Sequence, residues 1–225
     1  MSTIYLYYYQ IMILVGLVAG YFVAGGLGIR PEKNNREIWA PAIVGLIIGA
    51  KLPVILSYGW RPEFVFDGKS FMGGVLGAFI AVNLYKLVTR QTQKVFGDNF
   101  VPSLVATVAF GKIGCFLNGC CDGKEWGFMG IEHYPTQLLE SAFNFIMLVL
   151  LYKMYGVPKY KGLLFPIYVL SYMIMRFFVE FIRVEPAYLA GFTIYQVMAM
   201  IFSPIFVYII YKRGLRQHGR ITSFL

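Results

Sequence analysis

Three charged side chains near the end of an apolar stretch have types and a spacing suited to chemistry. Arg176, Glu180 and Arg183 stand four and then three residues apart in MRFFVEFIRVEP, so on a helix they share one face with a carboxylate between two guanidinium groups. This set carries one positive charge in excess. Because a planar guanidinium donates to two oxygens at once, the pattern indicates a pocket for the phosphate of an anionic lipid headgroup. An ion-pair network that only fixes helix packing is the alternative.

A second polar set lies in the segment HYPTQLLESAFNF. Gln137, Glu140 and Asn144 recur at intervals of three and four residues and so share a helical face. A buried Glu140 needs a cation beside it or a proton on it. The cations available to it are Lys112, Arg176 and Arg183. For Gln137 and Asn144, hydrogen bonding between helices without chemistry is the alternative.

The segment AFGKIGCFLNGCCDG combines glycines with polar side chains at membrane depth. Lys112 and Asn118 supply a charge and an amide that can point into a lined cavity. Cys115, Cys120 and Cys121 lack the paired spacing of a zinc site, and the chain has only two histidines, so we predict no metal site. We interpret the cysteines as packing residues. A reactive thiol, or a disulfide from Cys115 to one of the other two, is the alternative.

Two further segments contain weaker candidates. In DGKSFMGGVLGA, Ser70 is predicted to cap a helix, while Gly73 and Gly74 let a substrate or another backbone come close. Tyr9 ends a run of tyrosines that precedes the first predicted helix, and an interfacial aromatic belt is the simplest interpretation of that run.

The elements that position these residues are predicted to be membrane-spanning helices. The chain has 225 residues, of which 58% are hydrophobic and 14% charged, and its mean hydropathy is +0.64. A span needs roughly 20 apolar residues, so this length excludes a separate soluble catalytic domain. We predict an all-α polytopic membrane protein with about seven transmembrane helices in a single domain over residues 1–225. The predicted spans are about 10–28, 38–58, 71–89, 101–121, 137–156, 162–182 and 190–211. The fourth span is predicted to stop short or to break near Gly111.

Small residues at intervals of four predict close helix packing. The pairs are Gly16 and Gly20, Gly45 and Gly49, and Gly73 and Gly77. Glycines at this spacing let two helix backbones approach each other.

The distribution of charge predicts the orientation of the chain. With the C-terminus in the cytoplasm, thirteen basic residues of the short loops and chain ends lie inside and four lie outside: Arg61, Lys69, Lys124 and Arg183. The positive-inside rule then puts the N-terminus outside. Basic loops beside anionic lipid explain the net charge of +9, so we predict the lipid bilayer and no nucleic acid as a partner. No dinucleotide, phosphate-loop or metal motif occurs, so no cofactor is predicted.

Taken in order along the chain, the motifs resemble the bacterial prolipoprotein diacylglyceryl transferase family. The likeness runs through GLVAGYF, DGKSFMGGVLGA, GKIGCFLNGCCDG, YPTQLLES, RFFVEFIRVEP and IYQVMAM and covers most of the chain. It implies a seven-helix fold in the bacterial cytoplasmic (inner) membrane. The implied reaction transfers diacylglyceryl from phosphatidylglycerol, or from another anionic phospholipid, to the lipobox cysteine thiol of a prolipoprotein signal peptide at the outer face, leaving glycerol phosphate.

The resemblance also suggests roles for the candidate residues. The family's motif positions are occupied by Tyr9, Lys112, Cys115, Asn118, Gln137, Glu140 and Arg183, the last at the site of an essential arginine. The predicted catalytic residues are Arg183, Lys112, Glu140 and Tyr9. The predicted substrate-binding residues are Arg176, Glu180, Gln137, Asn118, Ser70, Gly73, Gly74 and Asn144.

The sequence departs from the family pattern at three positions. Met72 stands where the family usually has a histidine, and His133 is not at that motif position. Lys112 replaces an arginine, which keeps the charge and loses the bidentate fork, and Cys115 replaces an asparagine. Two alternatives are therefore a transferase of the same fold with a different acceptor or transferred group, and a non-enzymatic protein that binds or transports anionic lipid.

Overall fold

Seven helices form most of the part of the chain that the structure describes. The computed structural model describes residues 3–29, 36–62, 68–90, 97–128 and 131–222. Within these ranges the helices are α1 Thr3–Gly26, α2 Arg36–Tyr58, α3 Phe71–Val88, α4 Val101–Leu117, α5 Thr136–Met154, α6 Leu164–Val179 and α7 Ile194–Thr222. Single 3-10 turns lie at Pro158–Tyr160 and Glu180–Ile182. The short strands are β1 Glu125–Phe128, β2 Ile131–His133, β3 Ala187–Leu189 and β4 Phe192–Thr193, which pair as two antiparallel hairpins.

Length and composition suit the helices to a bilayer. Six of the described helices are long and apolar enough to span one, and α4 is shorter, with 17 residues. Large apolar side chains such as Leu14, Ile48 and Leu87 are exposed on them, as expected where lipid covers the surface. The all-α polytopic membrane class is therefore confirmed. The prediction that the fourth helix is short is confirmed too. The alternative, a break near Gly111, is wrong, because the helix continues through that residue.

The ends of several elements differ from the prediction. The first helix starts at Thr3 and includes Tyr9, so the interpretation of that tyrosine as preceding the helix was wrong. The last helix starts at Ile194 rather than near 190 because the β3–β4 hairpin occupies the preceding residues. Of the basic residues used for the orientation, Arg30, Lys33 and Lys94 lie outside the described residues.

One compact unit consists of residues 1–30, 96–184 and 202–225. Here α1 packs on α4 through the predicted glycine pair. The Ser103 hydroxyl donates to the Gly20 carbonyl at 2.9 Å, and the Thr107 hydroxyl donates to that of Gly16 at 3.3 Å. Ser141 on α5 donates to the carbonyl of Ala109 on α4 at 2.8 Å. These contacts set α1 and α5 against α4.

The start of α6 is capped from a distant part of the same unit. The Asp98 carboxylate accepts hydrogen bonds from the backbone amides of Gly162, Leu164 (3.1 Å) and Phe165 (3.4 Å). Arg213 on α7 donates to the Gly162 carbonyl at 2.6 Å. A carboxylate at these amides satisfies donors that have no partner within the helix.

A second unit consists of residues 31–95 and 185–201, in which α2 and α3 pack closely. A Cβ atom built at Gly77 would lie 2.7 Å from the Gly49 Cα and would also meet the Gly45 carbonyl oxygen. Glycine is therefore required here by the approach of the two backbones. The packing predicted from the spacing of these glycines is confirmed. Lys51, on α2, donates to the Gly68 carbonyl at 2.9 Å.

Candidate functional site

A completely buried carboxylate on α5 is the centre of the site. The two carboxylate oxygens of Glu140 lie 2.7 Å from the Lys112 Nζ on α4 and 2.7 Å from the Arg176 Nη1 on α6. The Tyr172 hydroxyl donates to the same carboxylate at 3.0 Å. All three helices that meet here thus supply a side chain. The prediction that Glu140 would need one of the available cations is confirmed, and it contacts more than one of them.

A second carboxylate joins the two arginines. Arg176 Nη2 lies 3.0 Å from the Glu180 carboxylate. Arg183 Nε is 4.0 Å from Glu180, and its Nη1 is 3.6 Å from Glu140. The expectation of one continuous helical face was wrong in detail, because α6 ends at Val179 and a 3-10 turn carries the chain to an extended Arg183. The three side chains still meet, since that turn is short.

The cluster carries an excess of positive charge. Its members are three cations, Lys112, Arg176 and Arg183, and two carboxylates, Glu140 and Glu180. The sum over these five side chains is one net positive charge. Arg183 has the longest carboxylate distances of the three cations, and its Nη1 also donates to the Cys121 carbonyl at 2.8 Å and to the Thr136 hydroxyl at 3.2 Å. The geometry therefore suits an anion beside Arg183.

The loop after α4 is held against this cluster by its backbone. Gly119, at φ +61°, ends the helix in a Schellman motif in which its amide donates to the Phe116 carbonyl and the Cys120 amide donates to the Cys115 carbonyl. The backbone amide of Asn118 donates to the Gly114 carbonyl at 3.0 Å.

Two side chains at the start of α5 fix the same loop. Gln137 Nε2 donates to the Cys120 carbonyl and to the Asp122 carboxylate, both at 2.6 Å. The Thr136 hydroxyl donates to the Cys121 carbonyl at 2.8 Å. The carbonyl of Cys121 therefore connects the loop to both α5 and Arg183.

The three thiols meet at this loop. The sulfur atoms of Cys115, Cys120 and Cys121 lie within 4.8 Å of one another, and all three are free. Hydrogen bonds with the Cys115 and Cys120 thiols, together with the charges of Lys112 and Arg183, lower the pKa of Cys121. Cys121 is also exposed, so the interpretation of the cysteines as packing residues was wrong for this one.

Sequence reasoning missed two tyrosines that support the cluster. The Tyr168 hydroxyl donates to the Asn144 side-chain oxygen at 2.7 Å, and Tyr172 reaches Glu140. Both tyrosines are buried on α6. A signal was present, because Tyr168, Tyr172 and Arg176 follow one another at intervals of four residues. The hydrogen bond from Tyr168 also confirms that Asn144 bonds between helices.

The other predicted residues occupy different places. Tyr9, on α1, packs its backbone against Gly114, at 3.2 Å from a Cβ built there, and so lies beside the residue that precedes Cys115. In the second unit, Ser70 accepts the Gly73 amide at 3.0 Å and caps α3, as predicted. Gly73 meets the Gly49 carbonyl, and Gly74 lies near α2 as well. At both positions the absence of a side chain lets α2 lie close to the backbone of α3.

Comparison with known proteins agrees with this architecture. The family model described as prolipoprotein diacylglyceryl transferase matches residues 1–212. A protein of Clostridium tetani named phosphatidylglycerol–prolipoprotein diacylglyceryl transferase is 32% identical over 80% of this chain and 82% of its own. A protein of the same name from Dehalococcoides mccartyi is 26% identical over 96% of this chain and 93% of its own. On the extent of the family match, the chain belongs to the prolipoprotein diacylglyceryl transferase family.

Proposed function

We propose that this protein transfers diacylglyceryl from phosphatidylglycerol to the lipobox cysteine thiol of a prolipoprotein, at the outer face of the bacterial inner membrane. The observation that carries the proposal is the buried cluster around Glu140, which combines one net positive charge with an arginine turned toward the loop after α4. Such a cluster suits the phosphate of a lipid that enters from the bilayer. The names of the relatives, which specify phosphatidylglycerol and prolipoprotein, support the same assignment.

The reaction is a displacement at carbon. The thiolate sulfur of the acceptor attacks the carbon of the diacylglyceryl part that bears the phosphate, and a carbon–sulfur bond forms. The carbon–oxygen bond to the phosphate breaks, and its electron pair leaves with glycerol phosphate. The thiol proton passes to a base or to solvent. Negative charge thus grows on the phosphate as the bond breaks, where Arg183 and Lys112 stabilise it.

Glu140 serves this reaction by positioning the cations. Its carboxylate already accepts contacts from Lys112, Arg176 and Tyr172 at 3.0 Å or less. Because both carboxylate oxygens are engaged in these contacts, we assign Glu140 the role of holding the guanidinium and ammonium groups in place. Tyr9 is assigned as a further catalytic residue on the family motif and on its place beside α4.

Gln137 is the residue best placed to select the headgroup. Its side chain is completely buried, and its Nε2 is held by Cys120 and Asp122. Within the described ranges its Oε1 accepts no hydrogen bond. A buried acceptor is costly when it lacks a donor, so a hydroxyl of the glycerol headgroup would be bound there. Phosphatidylglycerol supplies such a hydroxyl.

A transfer assay with purified protein tests the proposal. Phosphatidylglycerol labelled in its diacylglyceryl part is incubated with a lipobox peptide or with its Cys→Ser version. We expect label on the cysteine peptide alone, and we expect Arg183→Ala to abolish the transfer. Arg61→Ala is the matched control, because it removes an exposed arginine, and it should retain full transfer.

Three results would contradict the proposal. Full transfer by Arg183→Ala would remove the role of that arginine. Failure of a folded protein to transfer label, while it still binds phosphatidylglycerol, would favour a different acceptor, or lipid binding without chemistry. Redistribution of the lipid between leaflets without product would identify transport.

A further inference from the structure

The three thiols at the end of α4 form a cluster that the transfer reaction does not use. Cys115 lies on the helix, and Cys120 and Cys121 lie in the loop that follows. Their sulfur atoms are no more than 4.8 Å apart. We propose that these three sulfurs bind one soft monovalent cation of the Cu(I) class in a three-coordinate site.

The backbone brings the thiols together where the sequence spacing does not indicate a site. The Schellman motif folds Cys120 back over Cys115, so that the Cys120 amide donates to the Cys115 carbonyl at 3.1 Å and its thiol lies 3.5 Å from the same oxygen. Cys121 adopts φ +67°, a conformation that residues other than glycine rarely take. Thr136 and Arg183 hold its carbonyl at 2.8 Å each. The arrangement is therefore fixed by contacts outside the three cysteines.

The separation of the sulfurs matches a shared cation. A metal–thiolate bond is about 2.3 Å long, so three sulfurs in a plane around one cation lie about 4 Å apart. The observed separations require a contraction of less than about 1 Å to reach that geometry. Rotation of the Cys121 side chain, which is exposed, can supply it.

The number of ligands favours Cu(I) over Zn²⁺. Among the described residues, no further histidine, cysteine, aspartate or glutamate belongs to the group. Zn²⁺ in protein sites is almost always four-coordinate, whereas soft thiolate ligands select Cu(I). Three thiolates and one Cu(I) also carry two net negative charges, and two cations that contact Glu140 lie on neighbouring parts of the chain. Lys112 is one turn before Cys115 on α4, and Arg183 binds the Cys121 carbonyl.

The test measures metal binding and not transfer, so failure of the proposed reaction would leave its result unaffected. Protein reduced with a phosphine is titrated with Cu(I) in competition with a chromophoric Cu(I) chelator, and each thiol that coordinates releases its proton. We expect one Cu(I) per chain. Each of Cys115→Ser, Cys120→Ser and Cys121→Ser should weaken binding by more than about tenfold. His133→Gln, which removes another type of copper ligand, should bind Cu(I) as the wild type does.

A second measurement on the unaltered chain guards against variants that fail to fold. Thiol alkylation followed by mass spectrometry is run with and without one equivalent of Cu(I). Joint protection of all three cysteines supports the site. Alkylation that is unchanged by Cu(I), binding that survives in the three serine variants, or tighter binding of Zn²⁺ than of Cu(I) would each overturn the proposal.

Discussion

At the scale of single residues, the environment of Glu140 decides what the cluster can do. The buried carboxylate of Glu140 contacts Lys112 and Arg176 at 2.7 Å each, so the charges of both cations are offset in part by this one side chain. The residue is therefore a structural requirement of the site as well as part of its electrostatics. The cluster therefore predicts how the substitution Glu140→Gln should change the stability of the protein.

Glu140→Gln should destabilise the folded protein by about 3 kcal/mol, because Lys112 and the buried Arg176 then lose the anion that contacts both of them. Thermal unfolding in detergent measures the loss. The matched control is Glu132→Gln, which removes an exposed carboxylate and should change stability little. An unfolding temperature for Glu140→Gln equal to that of the control would show that the cluster is not an interdependent unit.

Residue chemistry was predictable where few partners existed. Only a few cations lie at membrane depth, so the sequence already limited the possible partners of Glu140 to Lys112, Arg176 and Arg183. Tyr168 and Tyr172 escaped notice because the chain has 17 tyrosines, and most interfacial or core tyrosines carry no such role. The meeting of the three cysteines was also missed, since it depends on the φ angles of Gly119 and Cys121 and not on spacing alone.

At the scale of elements, the contact of α2 with α3 depends on the absence of side chains at four glycines. Gly77→Ala should force the helices apart and cost about 1–3 kcal/mol, because the added methyl would meet backbone atoms that cannot move away separately. Gly25→Ala is the control, since a Cβ atom there has no neighbour within 4 Å. The midpoint of unfolding in a mild denaturant distinguishes them. Equal midpoints would mean that the interface adapts to a methyl group.

The cap on α6 gives an expectation for the dependence of stability on pH. Burial raises the pKa of the Asp98 carboxyl above its ordinary value of 3.8, although the backbone amides of Gly162, Leu164 and Phe165 and the charge of Arg213 act in the opposite direction. The folded chain therefore holds this proton more tightly than the unfolded chain. The stability that the proton contributes is complete below pH 3.8 and is lost as the pH rises through the raised pKa.

Asp98→Asn should remove this contribution to the pH dependence. The unfolding temperatures of wild type and variant are measured from pH 3.8 to neutral pH. The unfolding temperature of the wild type should fall relative to that of the variant as the pH rises. Glu132→Gln, which replaces an exposed carboxylate, serves again as the control. A constant difference for Asp98→Asn would show that the carboxyl is not perturbed by its burial.

The helices themselves were predictable from apolar length, whereas their ends were not. The cap of α6 comes from Asp98, which lies 64 residues before Gly162, so no local pattern announces it. The 3-10 turn at Glu180–Ile182 and the β3–β4 hairpin are too short to give a periodic signal. These short elements nevertheless place Arg183 and define where α7 begins.

At the scale of the whole molecule, the distribution of basic residues predicts the orientation, with the N-terminus outside and the C-terminus in the cytoplasm. A fluorescent protein fused after Thr222, or after a truncation at Gly156, should fold in the cytoplasm and fluoresce. Alkaline phosphatase fused after Lys124 should be active outside. The reverse pattern of activities would contradict the orientation and would place the loop after α4 on the cytoplasmic side. The single domain over residues 1–225 likewise stays a prediction.

The excess of one positive charge around Glu140 has a consequence for turnover. A phosphodiester such as phosphatidylglycerol carries one negative charge, so its arrival makes the cluster electrically neutral. A phosphate monoester carries about 1.5 to 2 negative charges near neutral pH, so the released glycerol phosphate would give these side chains and their ligand a net negative charge. The charge balance thus matches the incoming lipid and mismatches the departing headgroup. On the proposed function this mismatch should favour release of the product, and we expect added glycerol phosphate to be a weak inhibitor.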